Sequence, residues 1–105
     1  MAALREYQTT FGASPYGRWY ARLNAPAAAK VATALIRLGL GNTSNLKPLG
    51  EGVSEVRIEF GPGYRVYVGQ DSQALVILLG GGTKQRQNQD IAVAKQRWRD
   101  YRRRK

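Results

Sequence analysis

The sequence predicts an α+β domain with two N-terminal helices, an antiparallel β-sheet meander and a C-terminal helix. Three observations predict it. Apolar residues recur at helical spacing over residues 15–38, the period switches to strict alternation at Val53, and a helical stripe returns at Ile91. A chain of 105 residues suits one domain, residues 1–105, with a basic tail from about residue 99.

The elements follow in order. Residues 4–10 mix Leu, Tyr and Thr and read as a short edge strand. Ser14-Pro15 supplies an N-cap and a first-turn proline, and Tyr16, Trp19, Tyr20 and Leu23 continue at helical spacing, so a helix spans residues 15–23. Asn24-Ala25-Pro26 interrupts it and starts a second helix, whose stripe is Ala27, Val31, Ala34, Leu35 and Leu38. Gly39 and Gly41 end that helix, and the two helices form an antiparallel pair. Next, Val56, Ile58 and Phe60 alternate with Glu55, Arg57 and Glu59. Gly61-Pro62-Gly63 is a turn, and Tyr64-Arg65-Val66-Tyr67-Val68 alternates again. If only those turn residues form the loop, Phe60 faces Tyr64, Ile58 faces Val66 and Val56 faces Val68. The same register sets Glu59 opposite Arg65 and Arg57 opposite Tyr67. Gln70-Asp71-Ser72 makes a second turn, and the apolar run over residues 74–79 reads as a central strand covered on both faces. Past Gly80-Gly81-Gly82, a last helix starts between Thr83 and Asn88 and carries Ile91, Ala94, Trp98 and Tyr101 on one stripe.

Composition narrows the chemistry. Seventeen Lys and Arg against seven Asp and Glu give a net charge of +10, a field that concentrates polyanions and acidic protein segments around the molecule. The absence of Cys and His removes disulfides, a thiolate nucleophile, an imidazole acid or base and the usual zinc sites. The longest apolar run is far too short to span a bilayer, and no signal peptide is recognisable. The expectation is a soluble, cytoplasmic, cationic domain with no membrane partner, metal or cofactor. Glu55 and Glu59 share a strand face with Arg57 between them, which reads as ion pairing rather than a metal or glycosidase site. Gly80-Gly81-Gly82-Thr83-Lys84 follows a strand as a phosphate loop does, but the GxxxxGK[ST] spacing is not met. Nucleotide hydrolysis is excluded, and the glycines read as tight reversal or close backbone packing.

What remains is a set of cations interleaved with aromatics. Arg57, Arg65 and Tyr67 share one hairpin face, and Lys84 and Arg86 follow the central strand. Guanidinium and ammonium groups stabilise a phosphate and still more its transition state. RNA cleavage needs no metal, because the neighbouring 2′-hydroxyl serves as nucleophile once it is oriented.

Several segments occur in an order already known. Trp19-Tyr20-Ala21-Arg22-Leu23 and Arg37-Leu38-Gly39-Leu40-Gly41-Asn42 precede Glu55-Val56-Arg57-Ile58 and Gly63-Tyr64-Arg65-Val66-Tyr67. Leu78-Leu79-Gly80-Gly81-Gly82-Thr83-Lys84, Gln87, Asp90-Ile91, Ala94 and Trp98 come after them. Over about residues 11–98 the chain resembles the toxins of RelE/ParE-type toxin–antitoxin modules, above all their HigB-like, phage-derived branch of addiction module killer proteins. The resemblance implies a metal-independent, ribosome-dependent mRNA endoribonuclease that inhibits translation. It places Arg65 and Arg86 at phosphate and transition-state stabilisation, Lys84 at phosphate contact or proton transfer, and Arg57 at substrate orientation. Tyr67, Gln87, Arg97, Arg102 and Arg103 become the expected contacts to RNA or ribosome. The implied partners are messenger RNA, the ribosome and a cognate antitoxin, expected to be a helix-turn-helix protein. Two positions depart from the pattern: the late catalytic Tyr or His of some members falls at Ile91, and Thr83 stands where an acid is usual. ParE-like relatives share the fold and poison DNA gyrase, so a gyrase inhibitor, or a module that only binds, is the alternative.

Bland readings stand beside these. Trp98, Tyr101 and Tyr64 sit where core residues sit, and Trp19 and Tyr20 where helices pack. The run Arg102-Arg103-Arg104-Lys105 reads as a frayed, solvated end with at most a non-specific hold on ribosomal RNA.

Overall fold

A computed structural model describes residues 1–105. Its elements are β1 (Ala3–Glu6), α1 (Pro15–Ala21), α2 (Ala25–Gly39), β2 (Leu46–Gly50), β3 (Val53–Ile58), β4 (Tyr64–Ser72) and β5 (Leu75–Thr83). A 3-10 turn (Lys84–Arg86) then leads into α3 (Gln87–Arg104). Both early helices start as their caps dictate. Ser14 Oγ accepts from the Gly17 N–H at 2.9 Å and Asn24 Oδ1 from the Ala27 N–H at 2.9 Å. Ser14 also donates to Glu6 Oε1, which ties the start of α1 to the end of β1.

The strands form one sheet in the order β1-β5-β4-β3-β2. It is mixed rather than an antiparallel meander, because β1 runs parallel to β5 with Ala3 against Leu75 and Glu6 against Leu78. The run over residues 74–79 does lie inside the sheet, between β1 and β4. β2 carries no alternating pattern to announce it. Its Leu46-Lys47-Pro48-Leu49-Gly50 sequence is tolerated because this is an edge strand, where a proline costs no ladder bond and the register slips beside Pro48. The second expected turn also moves: β4 continues through Ser72, and residues 73–74 reverse the chain.

The β3–β4 hairpin corrects the expected register. Ile58 pairs with Tyr64, Val56 with Val66, Arg57 with Arg65 and Glu55 with Tyr67. The loop therefore takes in residues 59–63, closed by the Gly63 N–H donating to Phe60 O at 3.0 Å. Positive φ at Gly61 and Gly63 lets the chain turn there. The displacement is two residues, an even number, so every side chain keeps its face. Glu59 is left exposed in the loop, and Glu55 becomes the carboxylate between the two arginines.

Helices cover both faces of the sheet. On one, Tyr16 and the α2 stripe Ala27, Val31, Leu35 and Leu38 pack on Val56, Val66, Val68 and Leu78. On the other, Ala94 and Trp98 of α3 pack on Val53, Tyr67, Ile77 and Leu79, with Tyr7 alongside. No helix is long and apolar enough to cross a membrane.

The basic tail is not frayed. α3 runs to Arg104, and two carboxylates hold its last turns. Asp100 accepts from Tyr7 Oη and from Arg104 at 2.6 Å and from Arg103 at 2.7 Å. Asp71 accepts from Tyr101 Oη at 2.7 Å and from the Lys105 ammonium. Arg104 also donates to Gln8 O and lies over the Tyr7 ring. Hydrogen bonds from Tyr7 to Asp100, and from Lys105 and Tyr101 to Asp71, lower both carboxyl pKa values below the ordinary 3.8. A depressed folded pKa means that this ordering is complete above the unfolded pKa and is lost as pH falls through the folded one. On acidification the Cα chemical shifts of residues 100–104 should move toward coil values with midpoints below 3.8, while those of β4 and β5 stay put.

Candidate functional site

The chemistry concentrates where β5 leaves the sheet. A bulge there opposes Gly80 to Tyr67 and Leu78 to Val68, so Leu79 is the extra residue. The bulge resets the alternation. Gly80 and Gly82 now look toward α3 and Gly81 toward α1. All three are spaces filled by other elements. A Cβ on Gly80 would lie 2.6 Å from an Arg97 nitrogen, one on Gly82 would overlap the Asp90 carboxylate, and one on Gly81 would overlap the Trp19 indole. The glycines thus serve close packing inside a strand, not a chain reversal.

This packing leaves a groove of about 720 Å³ between α1 and α3, floored by the glycines. Arg18 and Arg22 stand on the α1 side, and Arg86 and Arg97 on the α3 side, with Asp90 as the one acid among the lining residues. Arg97 is anchored by donating to Leu79 O at 2.9 Å. Arg86 reaches only Gln89, at 3.0 Å, and is exposed. Tyr67 lines the same groove while only 1% exposed. Its hydroxyl has no hydrogen-bond partner. Burial, and then the Asp90 and Glu55 carboxylates, raise its pKa, so it stays a protonated donor. Burial also raises the Asp90 pKa against the opposing pull of Arg86 and Arg97. The arrangement is a cationic cleft with a neutral donor and a carboxylate of raised proton affinity at its base.

The residues singled out by sequence therefore divide. Arg86, Arg97 and Tyr67 line the groove. Arg57 and Arg65 do not; they pair across strands, with Glu55 between them. Glu55 Oε2 lies 2.8 Å from Arg57 Nε and 3.6 Å from Arg65 Nε. The Arg65 side chain is 5% exposed, donates to Tyr64 O at 3.1 Å, and keeps an unpartnered Nε. Lys84 is exposed beside the hairpin loop, its N–H donating to Gly63 O at 2.7 Å. Gln87 opens α3, half-buried, and Arg102 and Arg103 lie about four turns further along the helix, exposed. Sequence reasoning passed over Arg18, and it quoted Arg22 and Asp90 in the matching segments without giving them a role. The four-residue spacing of Arg18 and Arg22 was the available sign, since it sets both on one helix face.

No family model matches the chain. Over 81 residues it is 42% identical to an uncharacterized protein of Haemophilus influenzae, in an alignment covering 76% of this chain and 82% of that one.

Proposed function

The chain belongs to one family with the Haemophilus influenzae protein, and from that premise we propose that the arginine-walled groove binds the phosphodiester backbone of RNA. In this reading the protein is the toxin of a RelE/ParE-type module: a cytoplasmic bacterial endoribonuclease that cuts messenger RNA on the ribosome and is held in check by an antitoxin. One observation carries it: the buried, unpartnered Tyr67 hydroxyl at the base of a cleft rimmed by four arginines. A buried donor without a partner costs roughly 1–3 kcal/mol; the hydroxyl is closed to solvent, so a phosphate oxygen would relieve it only after the side chains over it move aside.

Cleavage would proceed by attack of the 2′-oxygen on the adjacent phosphorus. The P–O2′ bond forms, the P–O5′ bond breaks, and the products are a 2′,3′-cyclic phosphate and a 5′-hydroxyl. Arg86 and Arg97 would neutralise the non-bridging oxygens, where charge grows in the transition state. Asp90, with its raised pKa, would take the 2′-proton, while Tyr67 would donate toward the phosphate or the departing 5′-oxygen. Lys84 would meet a flanking phosphate. Arg65, paired with Glu55 beneath α3, acts as a positioning residue in this scheme. An acidic antitoxin segment would compete for the same arginines.

The test is a translation extract with a defined message, its new 5′ ends mapped with and without ribosomes. Cuts in register with codons, made only on translated message, are the expected result. Tyr67→Phe should slow them by roughly a hundredfold. Arg22→Ala/Arg86→Ala, both exposed, should weaken single-stranded RNA binding and lower its salt slope by about 1.4. A message left intact by the wild-type protein overturns the nuclease reading. A supercoiling assay on DNA gyrase then takes its place.

A further inference from the structure

Phe11 is 96% exposed, yet it does not dangle. The turn that displays it is closed by the Thr9 N–H donating to Ala13 O at 2.8 Å and the Gly12 N–H donating to Thr9 O at 2.9 Å. The Ala13 N–H adds a bond to Thr9 Oγ1, and Gly12 takes the positive φ the turn needs. A rigid turn that holds a large apolar ring in water has a free-energy cost that packing within the domain does nothing to offset.

Phe11 lines a second concavity of about 510 Å³ with Val93, Arg97, Arg99 and Arg103, and Asp100 is its one acid. Thr9, Val93 and Arg97 line both this hollow and the groove, so the two form one continuous cationic track. Arg99 and Arg103 are 60% and 76% exposed despite their partners Glu51 and Asp100. Each guanidinium keeps donors turned to solvent.

Resting on the RNA reading above, we infer that Phe11 is a stacking platform for one unpaired base of a single-stranded RNA, whose flanking phosphates lie on Arg97 and Arg103. Charge argues for a polyanion, and the flat exposed ring beside it selects the kind. A base of single-stranded RNA offers a free π-face at every nucleotide, whereas the bases of a duplex are already stacked on one another. An acidic peptide would satisfy the arginines but would cover the ring only if it also set an apolar side chain against it. The track therefore extends the groove outward along the strand and favours unpaired RNA over duplex.

The experiment titrates single-stranded oligoribonucleotides carrying 2-aminopurine at successive positions with the wild-type protein, Phe11→Ala, Phe11→Trp and Arg22→Ala/Arg86→Ala. Wild type should quench one position strongly and bind the matching duplex more weakly. Phe11→Ala should lose that quench and about tenfold in affinity with an unchanged salt slope, while Phe11→Trp keeps both. Loss of salt slope in Arg22→Ala/Arg86→Ala alone, with Phe11→Ala binding and quenching as wild type, overturns the platform and leaves the groove standing. Absence of any RNA binding by wild type overturns both. Equal affinity for duplex overturns the platform, as does a wild-type dimer in light scattering that Phe11→Ala converts to monomer, since a second copy would then cover the ring.

Discussion

Glu55→Ala should destabilise the fold by about 3–5 kcal/mol, because it strands a buried charge. Glu55 is 2% exposed and the Arg65 side chain 5%, so the arginine has no route to water that leaves β4 in place. Its Nε makes no hydrogen bond, so the Glu55 charge 3.6 Å away is the compensation it has. Arg57 contributes little of the effect: at 40% exposure its ion pair is worth less than about 1 kcal/mol. For a domain of this size the loss lowers the melting midpoint by roughly 10–20 °C. Urea unfolding of Glu55→Ala, Arg65→Met and Glu55→Leu/Arg65→Met separates the causes. The double variant should recover most of the stability, since an apolar pair leaves nothing charged beneath α3. A single-variant loss under 1 kcal/mol would mean that water reaches Arg65 and that the hairpin face is wet.

Gly81→Ala should cost about 3 kcal/mol and, if the groove binds RNA as proposed, also weaken that binding. The added methyl would enter the Trp19 indole, and not merely its flexible end. Trp19 has little freedom to yield, because Tyr16 and Tyr64 flank it with ring centroids 5.9 and 6.2 Å away. Relief therefore requires α1 to lift from β5, at the upper end of the usual cost of overpacking. That lift carries Arg18 and Arg22 away from Arg86 and Arg97, so the groove widens as the protein loses stability. In a Trp19→Leu background the same substitution should cost far less, and that coupling is the number to measure.

Legibility in the sequence followed how local each cause was. Both early helices were legible because Ser14 and Asn24 cap them and prolines open them, all within a few residues. β3 and β4 were legible from their alternation, and the first half of β5 from its unbroken apolar run. β2 was not, since Pro48 and Gly50 are tolerated only because the strand lies at an edge, a tertiary fact. The hairpin register turned on whether the glycines closed the loop at residue 61 or allowed it to open at residue 59, and side-chain alternation is blind to a slip of two. At the site, Arg86 was readable as a cation just past a strand end and Tyr67 as an aromatic on the hairpin face, whereas Arg97 came only with the resemblance. Arg65 looked available because its counterion was sought at Glu59, where the expected register put it, rather than at Glu55. Arg18 and Arg22 meet Arg86 and Arg97 only because α1 and α3 both pack around the glycines of β5, which no local pattern reports.

The parallel pairing of β1 with β5, and a groove whose walls come from α1 and α3, bear on timing. Residues 3–6 find their strand partners only at residues 75–78, and Arg18 and Arg22 face Arg86 and Arg97 only when nearly the whole domain has emerged from synthesis. The early segments can form helices as they appear, but such a partial chain has one wall of the cleft and no floor. On the reading proposed above, a protein acting on translating ribosomes would be harmless to the one making it, because its cleft is assembled last.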